Sequence, residues 1–113
     1  MTKAQFDEAY AILEKDCQIT KFYCTDEGTC AIGALALAAG ISESDLKEAG
    51  PMAIHHKDCV PIVKAIFKKF GLDLFGQSSI QNSNDCYKVR ADRVNKVLAQ
   101  LEHYYKERNP ERT

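Results

Sequence analysis

No apolar run in this sequence reaches the roughly 20 residues needed to cross a bilayer; the longest candidate, Ala31 to Ala39, is short and dominated by alanine. The opening residues, Met1-Thr2-Lys3-Ala4-Gln5-Phe6-Asp7-Glu8, lack the basic-then-apolar order of an export signal. Neither charge sign is in excess, since the formal net charge is −1, so general nucleic-acid binding has no electrostatic support. A disulfide framework is missing too: the five cysteines, Cys17, Cys24, Cys30, Cys59 and Cys86, are odd in number and irregular in spacing, which fits reduced thiols. Gly28 and Gly33 match neither nucleotide-binding fingerprint, and there is no internal repeat or low-complexity linker. These absences leave a cytoplasmic protein with no membrane association and no expected cofactor.

What is present suits one domain. A chain of 113 residues, 45% apolar and 27% charged, can bury one modest core. Charge is uneven along it: residues 1–50 carry four lysines against nine acids, a net of −5, and the remainder carries +4. The two halves are expected to attract each other within the fold.

The stretch from Gly28 to Gly40 is built from small residues with a glycine at each end. Small side chains let neighbouring backbones approach closely, so residues 30–39 are expected to form a central helix around which the others pack. Thr29 is a suitable N-cap, after an Asp26-Glu27-Gly28-Thr29 turn.

Phe6, Ala9, Tyr10 and Leu13 recur at helical spacing over 3–16, with Thr2 and Gln5 forming a capping box. Ser42 opens a short acidic helix that Gly50-Pro51 stops. Cys59, Ile62, Val63, Ile66, Phe67 and Phe70 form an apolar stripe over 58–70, and the long stripe of 91–107 carries Val94, Val97, Leu98, Leu101, Tyr104 and Tyr105. Leu72, Leu74 and Phe75 are expected to tuck under the core, and the polar residues 78–84 to form a short helix or turn. The fold class is therefore mainly α, about five helices with one short strand pair near residues 18–25.

Three groups of residues could carry chemistry. Cys30 falls at a helix N-terminus, where the dipole favours a thiolate; with His56 or His55 as base and Asp85 or Asn84 to orient it, a cysteine hydrolase or transferase can be drawn. The more ordinary role for Cys30, Gly33, Asn84 and Asp85 is structural, with Asn84-Asp85 capping free N–H groups at the start of the central or the last helix. Cys24 and Cys30 with His55, His56 and Cys59 can be assembled on paper into a zinc set. Only His56 and Cys59 have the close spacing such sites use, so no metal is expected. Lys88, Arg90, Arg93 and Lys96 form a basic patch at the start of the last helix, a solvated face by default, a phosphate-binding surface in the sharper reading and a nucleic-acid-binding surface in the least favoured one.

The order of these motifs carries a resemblance. A Gly-x-Cys-Ala-Ile-Gly-Ala-Leu block (Gly28 to Leu35) after an amphipathic helix, then Asn84-Asp85 before a final helix bearing Val94, Val97, Leu98 and Leu101, resembles a family of small uncharacterised phage and bacterial proteins. The likeness spans most of residues 4–101, with 51–77 outside it. It implies a small accessory protein that acts on a host or defence protein. The function expected from the sequence is accordingly protein–protein interaction without catalysis, with the surface lying on the basic patch or on the acidic helix at 43–49.

Overall fold

A computed structural model describes residues 1–20, 23–50, 54 and 56–109. Among them are six α-helices and one two-stranded antiparallel ribbon. Helix α1 (Lys3–Lys15) begins as expected: Thr2 Oγ1 accepts from Gln5 N at 3.1 Å and Gln5 Oε1 from Thr2 N at 2.8 Å. Ala9 and Leu13 are its buried positions, and Phe6 packs its ring 4.6 Å from that of Tyr105.

Strands β1 (Cys24–Thr25) and β2 (Gly28–Thr29) pair Cys24 with Thr29 and Thr25 with Gly28. The turn is therefore Asp26-Glu27 alone, and Thr29 is a strand residue, not the helix cap. The reason is visible in its backbone: the Thr29 carbonyl accepts from Gln18 N and Ile19 N, which holds it extended. Cys30 takes the cap of α2 (Ala31–Ala38) instead.

Helix α2 is central. Six successive residues, Ala31 to Ala36, are buried, so no side of its first turns meets water, and it packs against α1, α4 and α5. Helix α3 (Glu43–Ala49) is capped by Ser42 Oγ, which accepts from Asp45 N at 3.1 Å. A 3-10 turn (Lys57–Cys59) leads into α4 (Val60–Phe70), whose first turn accommodates Pro61 and whose end is Gly71 in the left-handed region at φ 69°.

The largest departure from expectation is α5 (Leu74–Cys86), one continuous helix of 13 residues where an apolar knot followed by a short helix or turn over 78–84 was expected. Asp73 caps it, Oδ1 accepting from Gly76 N at 2.9 Å. Its buried side is Gly76, Gln77, Ile80 and Asn84, so Leu74 and Phe75 are exposed at 43% and 69%, and only Leu72 is under the core. The last helix, α6 (Arg90–Arg108), lies along α5 and α1. A Cβ on Gly76 would stand 2.6 Å from the Tyr104 ring, which is how closely α5 and α6 approach.

Candidate functional site

The residues singled out in the sequence converge at the N-terminus of α2, although 54 positions separate Cys30 from Asn84. The first turn of any helix leaves backbone N–H groups without intrahelical partners. Here two side chains take them: Cys30 Sγ accepts from Gly33 N at 3.3 Å, and Asn84 Oδ1 accepts from Ala31 N at 3.0 Å. The capping role expected of Asn84 is thus fulfilled at the central helix.

Around these caps the polar atoms form a closed circuit. The Cys30 thiol donates to Gln81 Oε1 at 3.4 Å, and Gln81 Nε2 donates to Asp85 Oδ2 at 3.2 Å. Asn84 Nδ2 donates to Asp85 Oδ1 at 3.0 Å and also to the Ile19 carbonyl at 3.1 Å, tying α5 to the loop after α1. Asp85 therefore acts on amide groups, where it fixes which way Gln81 and Asn84 point. Tyr23 closes the far side: its carbonyl accepts from Cys30 N at 3.3 Å and its hydroxyl shares a hydrogen bond with Cys59 Sγ at 3.6 Å. Burial pushes the Tyr23 hydroxyl well above its ordinary value, with the Cys59 hydrogen bond adding to the effect.

Two opposing forces act on the Cys30 thiol. Complete burial pushes its pKa up to about 12, outweighing the hydrogen bond from the Gly33 N–H, which lowers it as a helix N-terminus should. The side chain is 0% exposed. A thiol in that setting stays protonated through the physiological range, the reverse of what nucleophilic attack requires.

The described histidines lie elsewhere. His56 is exposed and caps the 3-10 turn, Nδ1 accepting from Asp58 N at 3.1 Å. His103 faces Glu107 on α6 at 3.1 Å, and His55 lies outside the described residues. Cys24 and Cys59 turn to different partners, Thr25 and Tyr23, and among the described residues no three His, Cys, Asp or Glu side chains are placed to hold a metal ion.

The basic patch needs correcting. Lys88, Arg90 and Lys96 are exposed, but Arg93 is 5% exposed and points inward. Its guanidinium donates to the carbonyls of Tyr87 at 3.0 Å, Cys17 at 2.8 Å and Lys88 at 2.9 Å. Arg90 is likewise turned to protein, donating to the Lys15 carbonyl. The sequence held a signal for this, because Arg93 falls four residues before Val97 and eight before Leu101, on the stripe itself. Tyr23 and Gln81 carried no comparable signal.

Comparison of the chain with known protein families, with curated proteins and with solved structures returns no match.

Proposed function

We propose that this protein works by binding another protein and not by catalysis: a small accessory protein of the phage type that its sequence resembles, acting in the cytoplasm on a host or defence protein. The observation that carries this reading is the state of Cys30. The one cysteine placed for chemistry is fully buried, protonated, and engaged in holding the start of α2. Among the large apolar side chains exposed on the described residues, Val60 at 43%, Phe67 at 54%, Leu74 at 43% and Phe75 at 69% lie on α4 and the first turn of α5, and Val89 precedes α6. Aromatic side chains are enriched at protein–protein contacts, which supports a role for Phe67 and Phe75 in one.

The test is proximity labelling in producing cells, with the Phe67→Ser/Phe75→Ser double variant beside the natural protein at matched abundance. Neither side chain is buried, so the variant is expected to keep its unfolding midpoint. One labelled protein should be enriched by the natural chain and fall at least about tenfold with the variant, as hot-spot aromatics dictate. An identical labelled set from both proteins would contradict the proposal.

A further inference from the structure

Between α3 and the start of α4 lies a cleft of about 370 Å³. Its floor is apolar, from Ile41, Ala49 and Ile62, and three exposed carboxylates, Asp45, Glu48 and Asp58, stand around it. Neither Asp45 nor Glu48 has a cation at ion-pair distance among the described residues, and Asp58 has only His56, at 3.7 Å. An apolar floor under acidic groups is the complement of a lysine side chain, whose four-carbon stem buries while its ammonium stays at the rim.

Such a lysine is present on the same helix. Pro61, Lys64, Ala65 and Lys68 recur at steps of three and four and so share one face of α4. Lys64 and Lys68 are exposed, neither meets a carboxylate among the described residues, and α4 contains no acid. Along this face the charge runs from acidic at Asp58 to basic at Lys64 and Lys68, with the small residues Pro61 and Ala65 on either side of Lys64. A surface ordered in this way is complementary to itself when turned through two-fold symmetry. Two α4 helices laid antiparallel would set Pro61 against Ala65 of the other copy, close enough for Lys68 of each to enter the acidic cleft of the other beside Asp58.

We infer that the protein associates with a second copy of itself through this face, in a symmetric dimer in which Lys68 of each copy occupies the cleft formed by Asp45, Glu48 and Asp58 of the other. The inference goes beyond the function proposed above, and its key side chain is set apart from the aromatics named there, since Phe67 is turned by about 100° from Lys68 on α4 and Phe75 lies on α5. Contacts between exposed charges predict a weak dimer, screened by salt.

Sedimentation equilibrium from about 10 µM to about 1 mM covers the range in which a weak dimer associates. The natural chain should rise towards twice its monomer mass, with association weakened at least tenfold in about 0.5 M salt, where exposed charge pairs are screened. Asp58→Lys and Lys68→Glu should each remain monomeric, because each puts like charges together at both contacts. Mixed with one another, those two single variants should associate, because both contacts then join opposite charges; the Asp58→Lys/Lys68→Glu double variant should self-associate for the same reason. Should Asp58→Lys disturb the start of α4, seen as lost helicity, Glu48→Lys replaces it. A natural chain that stays monomeric throughout would overturn the inference, as would association that the single variants leave intact, or binding of a lysine peptide in the cleft with no self-association. Each of those results leaves the dependence of partner labelling on Phe67 and Phe75 standing or falling by itself.

Discussion

Gly33→Ala should remove a large part of the stability of this protein. In an open helix the same change stabilises by about 1 kcal/mol, because alanine is the better helix former. At Gly33 the new Cβ would stand 1.8 Å from the Tyr23 carbonyl oxygen and 2.7 Å from its carbon. Those are backbone atoms and cannot swing aside as a flexible side chain could. The same carbonyl accepts the Cys30 N–H, so moving it also disturbs the helix cap. Overpacking a tight core costs about 1–3 kcal/mol, and more where backbone must move, so a loss of about 4 kcal/mol is expected from a total that for small domains is roughly 5–15 kcal/mol. Urea unfolding followed by circular dichroism measures it. A midpoint equal to or above that of the natural protein would mean that α2 and the Tyr23 segment are not packed backbone to backbone.

Arg93→Met is expected to rank second, at about 3 kcal/mol, because hydrogen bonds from a charged donor contribute about 1.5–3 kcal/mol each and burial leaves their former acceptors short of water. Three carbonyls lose a partner together. One of them belongs to Cys17, a non-glycine residue held at φ 91°, a conformation that persists only where surrounding contacts enforce it. Arg93→Lys should recover less than half of the loss, since one ammonium on a flexible stem cannot span the fork of acceptors that a guanidinium reaches. Were Arg93 part of an exposed binding surface, both variants would unfold at the urea concentration of the natural protein.

Much of the architecture could be read in advance, and the failures share one cause. Helices α1, α4 and α6 announce themselves through apolar stripes, and the Thr2 and Ser42 caps through side-chain chemistry that acts over three residues. Helix α5 was legible only in part, as a short helix or turn over 78–84, because the face it buries is Gly76, Gln77, Ile80 and Asn84; polar side chains placed in a core by long-range hydrogen bonds look like loop residues in a linear sequence. Gln77, fully buried, shows the same thing, its Nε2 donating to the carbonyls of Val63 and Leu72. Leu74 and Phe75 were misplaced for the converse reason, since the unforeseen first turn of α5 carries them to solvent. At the candidate site the sequence identified Cys30 and Asn84 separately and the possibility of a cap. It could not decide between a thiol activated by the helix dipole and one silenced by burial, because the two effects oppose each other and burial is a property of the assembled core.

Burial of the thiols also sets a pH dependence. Cys30 and Cys17, pushed up to about 12 and about 11 from an ordinary 9.0, release their protons more readily in the unfolded chain. Their contribution to stability is complete below pH 9 and is lost as pH climbs from there through the folded values.

Alkylation of the native, reduced protein across pH, with each modified cysteine located by peptide mass analysis, tests the central claim most directly. Cys86, which is exposed, serves as the internal standard and should be modified at once. Cys30 should resist until the chain unfolds, with no reactive thiolate appearing below about pH 11, well above the unperturbed range near 8.5. Modification of Cys30 in the folded protein at the rate of Cys86, with a midpoint at or below that unperturbed range, would contradict the account and make a cysteine-dependent enzyme the better description of this protein.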